Sequence, residues 1–210
     1  MVRSPFLAIP KHLLREVIRL RISSSGEVEN GRFEDVWRTV CVSHYNGEET
    51  SQFLIERSLM RPRFLINFIN QCRSFAVNFN HKKIEAEDIE KGFESYSSDL
   101  LIDINYEIRD VFPEAESILY SFIEAPSELS LPVLTEIVER ELPGSSMIDK
   151  VINLLLWYGF LGIKTGKHDV KYIYNFNYNM NILKGVAFKH KENVIYVINP
   201  AFWPSLLIDN

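Results

Sequence analysis

Two arginines flank a proline at the start of an amphipathic segment. Arg61, Pro62 and Arg63 precede a run in which apolar residues recur at helical spacing. Proline suits the first turn of a helix, where its missing N–H would have no intrahelical partner. Positive charge at that end opposes the helix dipole, so the guanidinium groups become favourable when an anion such as phosphate binds there. The alternative, which spacing alone favours, is that both arginines pair with carboxylates such as Glu56 or cover apolar surface with their stems.

A second candidate set is basic and lies towards the end of the chain. Lys164, Lys167 and Lys171 stand among tyrosines, a composition that could contact a nucleic-acid backbone or form an ordinary solvated hairpin. The preceding helical segment, 145–161, carries only Asp149 and Lys150, which is a poor match to a phosphate-lined groove. We therefore expect weak or no DNA binding.

The sequence contains none of the short motifs that build a catalytic site. It has no G-x-x-x-x-G-K-[ST], no G-x-G-x-x-G and no G-x-S-x-G. The five histidines are scattered, and Cys41, which lies near His44, is expected on a helix surface with it. Four carboxylates near residue 87 are typical of a solvated first helical turn: Glu85, Glu87, Asp88 and Glu90. We expect no catalytic residue, no metal site and no cofactor bound by the chain alone.

Composition sets the broad class of the protein. The chain has 210 residues, 46% of them apolar, and a net charge of -5, which suits one large or two small domains and argues against a surface that binds nucleic acid throughout. No stretch approaches the ~18 apolar residues of a membrane span, and the start lacks the features of a signal peptide. With only two cysteines, we expect a reduced, cytoplasmic protein that does not interact with membranes.

The elements that would position these residues are mainly helical. Apolar periodicity predicts a bundle of helices over 1–110, and Phe112-Pro113 predicts its end. Over 111–210 the order is helix, short strand, helix, turn, helix, strand, strand, which is typical of a winged helix-turn-helix. The last two strands are predicted at 171–178 and 193–200 from alternating Tyr, Ile and Val. The predicted fold is therefore mainly α with a small β-hairpin, in two domains, 1–110 and 111–210.

The segment 58–101 resembles the helical lid that follows the nucleotide core in AAA+/STAND-type P-loop ATPases. It is most similar to a bacterial group described simply as P-loop ATPases. Such proteins carry R-P-R-x-x-I-x-F-x-N, then an apolar helix, then I-x-x-x-D-I. The matching residues are Arg61, Pro62, Arg63, Ile66, Phe68, Asn70, Ile84, Asp88 and Ile89. The end of the chain resembles the group's closing I-[HN]-P-A-F motif at 198–202, so the similarity extends over roughly residues 8–207.

The resemblance implies a role for the arginines. Arg63, or alternatively Arg61, would be the sensor-2 arginine that reaches the γ-phosphate from the lid, and ATP with Mg²⁺ would be bound only together with an ATPase core. The P-loop, Walker B and sensor-1 segments are missing, so that core would belong to the same longer protein or to another chain. The implied function is a regulatory, non-catalytic relay of nucleotide state. The alternatives are a DNA-binding winged helix and a protein-interaction adaptor for a protein effector. The adaptor would use Trp157, Phe160, Phe202 and Trp203, although we expect most of these in the core.

Overall fold

The computed structural model describes residues 9–26, 31–143, 147–167, 169–190 and 194–209. These residues form two compact units, 9–96 and 97–209. Helices predominate and the strands form small antiparallel sheets. The predicted mainly-α class with a small β element is therefore confirmed.

The first unit is helical, with one short hairpin. Its elements are α1 (Lys11–Ser23), α2 (Phe33–Val40), β1 (His44–Tyr45), β2 (Glu48–Glu49), α3 (Thr50–Glu56), α4 (Pro62–Asn78) and the first part of α5 (Ala86–Val111). In α4 the buried residues recur at helical spacing, which gives the helix one apolar face: Phe64, Leu65, Phe68, Cys72 and Ala76. Aromatic rings fill the centre of the unit, where Phe68 stacks on Tyr96 with 4.3 Å between ring centroids.

Helices α4 and α5 come into close contact at a glycine. A Cβ atom added to Gly92 would lie 2.7 Å from the backbone Cα of Cys72. Only a residue without a side chain fits there, so Gly92 sets how closely the two helices pack.

The second unit combines short helices with a four-stranded sheet. After the end of α5 the helices and strands are β3 (Glu128–Ser130), α6 (Leu131–Glu141), α7 (Ile148–Trp157), β4 (Leu161–Lys164), β5 (Val170–Lys171), α8 (Met180–His190), β6 (Ile195–Ile198) and α9 (Trp203–Leu206). Four 3₁₀ turns lie between them or before them: Pro113–Ala115, Ile118–Phe122, Ile173–Phe176 and Pro200–Phe202. The strand order is β3-β6-β4-β5. Leu129 is opposite Tyr196, and Leu161 is opposite Ile198, in antiparallel register.

The strand predicted at 171–178 is wrong beyond Lys171. The backbone N–H of Tyr172 donates to Asn175 Oδ1 at 2.7 Å and a 3₁₀ turn follows. Asn177 and Tyr178 then adopt φ of 47° and 59°, a left-handed conformation that no strand contains. Asparagine side chains compete for the backbone hydrogen bonds that a strand would use, so the alternating pattern is interrupted.

An unpredicted helix, α8, follows that turn. Asn179 Oδ1 accepts hydrogen bonds from the backbone N–H groups of Asn181 and Ile182 at 3.1 and 3.3 Å, as a helix N-cap does. The second predicted strand, 193–200, corresponds to β6, which occupies Ile195–Ile198.

The proposed domain boundary coincides with a helix end. α5 ends at Val111, directly before Phe112-Pro113, as the proline requires. The boundary between the two compact units instead falls inside α5, between Tyr96 and Ser97. The division into 1–110 and 111–210 therefore remains a prediction.

Candidate functional site

The start of α4 has the geometry expected of the Arg-Pro-Arg segment. Arg61 is the N-cap residue with extended φ and ψ of -110° and 123°, and Pro62 occupies the first turn. The backbone N–H of Leu65 donates to the Arg61 carbonyl at 3.1 Å, which closes that turn. The turn contains no acidic residue that would neutralise the positive end of the helix dipole.

The two arginines differ in exposure. The Arg61 residue is only 9% exposed, and its guanidinium carbon lies 5.3 Å from the centroid of the Phe64 ring. Arg63 is exposed, with its guanidinium carbon 5.5 Å from the same ring. Both guanidinium groups therefore lie beside the Phe64 ring, and Arg63 is the exposed one of the two.

The carboxylate suggested as their partner is engaged elsewhere. Glu56 Oε1 lies 2.5 Å from Lys11 Nζ and accepts a hydrogen bond from Gln52 Nε2 at 3.1 Å. Glu56 thus links α1 to α3.

Sequence reasoning missed a third arginine, Arg57. Its guanidinium carbon lies 3.7 Å from the centroid of the Phe53 ring, and Nη1 approaches Glu48 at 3.4 Å. Burial lowers the pKa of Arg57 from its usual value, an effect that Glu48 opposes. The hydroxyl of Tyr96 donates to the Arg57 carbonyl at 2.9 Å, so this residue braces the unit's interior. The sequence signal for this contact was the spacing of Phe53 and Arg57, since residues four positions apart lie on the same face of a helix.

The burial of Asp88 contradicts the prediction that all four carboxylates of this turn are solvated. Glu85, Glu87 and Glu90 are exposed, but Asp88 is fully buried. Asp88 Oδ2 accepts from the Glu85 backbone N–H at 2.8 Å, the return bond of a capping box, and lies 2.9 Å from His81 Nδ1. Since His81 follows α4 and Asp88 begins α5, the pair joins the two helix ends.

Cys41 and His44 were predicted to share a helix surface, and this prediction is wrong. α2 ends at Val40, and Cys41 is buried in an isolated parallel bridge to Ile84, whereas His44 is exposed on β1. Burial raises the pKa of Cys41 to about 12 and raises the pKa of the buried Cys72 as well, so both stay as thiols. Within the described ranges, no three His, Cys, Asp or Glu side chains group as metal ligands.

The basic candidate set is partly neutralised in the second unit. Lys164 Nζ lies 2.5 Å from Glu128 Oε1, and Lys171 Nζ lies 2.8 Å from Asp169 Oδ1, while Lys167 is exposed. Two of the three predicted phosphate contacts are therefore in ion pairs with acidic neighbours.

The outer face of α7 lines an open groove of about 510 Å³. The groove is mostly apolar and takes residues from α5, α7 and α8: Val111, Lys150, Asn153, Leu154, Trp157, Tyr158 and Met180. Lys150 Nζ lies 3.7 Å from the centroid of the Phe112 ring. Apart from Lys150 and Asn153, the lining of this groove is aromatic and aliphatic.

Four aromatic residues suggested for protein interaction are mostly interior. Phe160 and Phe202 are fully buried, and Trp203 Nε1 donates to the Ile198 carbonyl at 2.9 Å. Trp157 is partly exposed and lines the α7 groove.

One family comparison bears on the first unit. Residues 12–105 match the model of the FunZ-associated C-terminal helical domain. The match begins in α1, includes the Arg61-Pro62-Arg63 segment and the His81–Asp88 pair, and ends within α5. It covers somewhat less than half of the chain, so it shows similarity to a C-terminal helical domain. No curated protein and no solved structure matches the chain.

In the part of the chain that the structure describes, no helix combines the length and the apolar character needed to cross a bilayer.

The His81–Asp88 pair predicts that the free energy of unfolding of the first unit depends on pH. The hydrogen bond that His81 Nδ1 donates to the Asp88 carboxylate raises the pKa of His81 above its ordinary value of about 6.5. A raised pKa in the folded state contributes stability that is fully present below the unfolded-state pKa and is lost as pH rises through the folded-state value. The advantage of the wild type over His81→Gln in urea unfolding is therefore expected to shrink from about pH 5.5 to about pH 8.5. The exposed His12→Gln variant is the control, and curves for His81→Gln that stay parallel to wild type would contradict the assignment.

Proposed function

We propose that this chain is the non-catalytic, regulatory part of a P-loop ATPase, in which a helical lid relays the nucleotide state to a winged helix. The observation that carries the proposal is the match of residues 12–105 to a C-terminal helical domain, because it includes the Arg61-Pro62-Arg63 start of α4. A helix start with two arginines and no acidic residue in its first turn suits a phosphate supplied by another domain.

In this proposal, Arg63 detects the γ-phosphate. ATP and Mg²⁺ are held by an ATPase core, in the same protein or on a partner chain. The exposed Arg63 is attracted to the γ-phosphate, and hydrolysis removes that attraction. Arg61, held against Phe64, positions the first turn. The lid is then a two-state element, and the bound nucleotide sets the equilibrium between its two positions.

The second unit supports a winged-helix output. The order 3₁₀ turn, β3, α6, α7, β4 follows the winged-helix order, and β6 pairs with both β3 and β4. The α7 groove, with its apolar lining and one lysine, suits a protein effector better than a phosphate backbone. A DNA-binding role remains the alternative, and tight, sequence-selective duplex binding that persists at moderate salt would favour it.

The purified chain is expected not to hydrolyse ATP. The reason is the missing phosphate-binding loop and the missing Walker B carboxylate, which position the γ-phosphate and Mg²⁺ in such enzymes. Release of inorganic phosphate from ATP and Mg²⁺, measured against a protein-free blank, tests this. Steady turnover by the chain that a substitution such as Arg63→Ala abolishes would end the non-catalytic proposal.

A further inference from the structure

A small polar groove lies in the first unit, among α1, α2 and the β1–β2 hairpin. Its volume is about 170 Å³, below the ~300–1,000 Å³ typical of sites for drug-sized ligands. Its walls are aromatic and charged: Arg15, Phe33, Glu34, Trp37, Arg38, Ser43, His44 and Glu49. The space suits a single polar group on a short stem.

Two residues of this groove carry buried N–H donors that lack an acceptor. The Trp37 residue is 2% exposed, and its indole Nε1 is buried. The Nε of Arg15 is buried as well. Among the described residues, neither nitrogen has a hydrogen-bond acceptor within reach. Buried donors are nearly always satisfied in folded proteins, so the acceptor for these two donors is one that the described residues do not supply.

The principal carboxylate of the groove is already saturated. Glu49 Oε1 accepts from the Ser51 backbone N–H at 3.0 Å, and Oε2 accepts from Gln52 N–H at 3.0 Å and from Arg15 Nη2 at 2.9 Å. Glu49 therefore caps α3 and fixes the Arg15 side chain in place. Two further charged side chains of the lining, Arg38 and Glu34, are exposed and carry opposite charges. The buried polar groups without a partner are therefore the two donors.

We propose that this groove binds the oxyanion group of a small molecule, either a carboxylate or a phosphate ester. Trp37 Nε1 and Arg15 Nε donate to the oxygens, and the exposed Arg38 supplies positive charge beyond that of Arg15, which is already paired with Glu49. The stacked Phe33 and Trp37 rings, with 5.9 Å between centroids, give the stem an apolar wall. This site uses none of the residues of the nucleotide relay and does not depend on it.

The indole N–H signal of Trp37 gives a direct test in the full chain. The protein has three tryptophans, so a ¹H–¹⁵N spectrum shows few indole peaks, and Trp37→Phe assigns the relevant one. Titration with inorganic phosphate and, separately, with sodium benzoate should shift that peak saturably, with a Kd on the order of 1 mM. A shift with phosphate alone identifies a phosphate ester, and a shift with benzoate alone identifies a carboxylate. An unchanged Trp37 peak with both probes overturns the proposal.

Two substitutions separate the site from general anion binding. Arg15→Gln should weaken the titration by about tenfold, because one charge-assisted contact is lost. Arg32→Gln is the control and should leave the affinity for the probe unchanged. Arg32 is an exposed arginine next to α2 that pairs with Asp35 and lies outside the groove. If Arg15→Gln does not fold, Arg38→Gln at the exposed rim should still weaken binding. Equal affinities in the groove variants and in Arg32→Gln would overturn the proposal.

Discussion

Replacement of Arg63 by alanine is expected to lower ATP turnover of the complete, core-containing assembly by on the order of 10²–10³-fold, within the range found when a positive group facing the transferred phosphate is removed. The side chain is exposed at the first turn of α4, so its loss should change the free energy of unfolding by less than about 0.5 kcal/mol. Steady-state phosphate release and thermal unfolding of the same preparations separate the two effects.

Two other arginines serve as controls for that experiment. Arg73→Ala removes an exposed arginine much further along the same helix and should alter neither turnover nor stability. Arg61→Ala should cost roughly 1–3 kcal/mol of stability, because it removes a buried side chain packed against Phe64. If Arg63→Ala retains normal turnover and coupling but unfolds the lid, Arg63 is a structural residue and the sensor assignment is wrong.

The second large effect is expected from Gly92→Ala, which should destabilise the first unit by roughly 2–3 kcal/mol. The new Cβ would lie 2.7 Å from the Cα, backbone N and Sγ of Cys72, so α4 would have to move away from α5. Alanine is the better helix former by about 1 kcal/mol, and the steric effect must outweigh that gain. Urea unfolding monitored by circular dichroism measures the difference.

Gly185→Ala is the matched control, because Gly185 also lies within a helix, α8, and no described atom lies within 4 Å of its added Cβ. Without a clash, only helix propensity remains, and the variant should be about 0.5–1 kcal/mol more stable than wild type. Comparable stabilities for the two alanine variants would show that α4 and α5 do not pack closely at Gly92.

Local sequence signals predicted much of the helical framework. Pro62 marked the start of α4 and Phe112-Pro113 the end of α5, because proline acts on its own neighbourhood. In the second unit the apolar residues that recur at helical spacing in the 3₁₀ turn and in α6 are buried: Ile118, Leu119, Phe122, Leu134, Ile137 and Val138. These features depend only on residues a few positions apart.

Features that depend on distant partners were not predictable in this way. Asp88 has the local pattern of a solvated first turn, and its burial arises from His81 and from the packing of α4 on α5. Arg61 is buried and Arg63 is exposed although both lie beside the Phe64 ring, and periodicity does not specify this difference at a helix start. The groove around Trp37 joins α1, α2 and the hairpin, three elements that no sequence motif connects.

The positions of the two cysteines provide a built-in reporter of local opening. Cys41 and Cys72 are the chain's only thiols, and both are buried in the first unit. An alkylating reagent reacts with the thiolate, so protected, protonated sulfurs react only through conformations that expose them. The labelling rate of the native protein, relative to the unfolded chain, therefore measures the opening equilibrium of the first unit without any contribution from the thiol-free second unit. Mass spectrometry of the labelled protein therefore measures the opening of the first unit, with or without an added nucleotide, and requires no introduced probe.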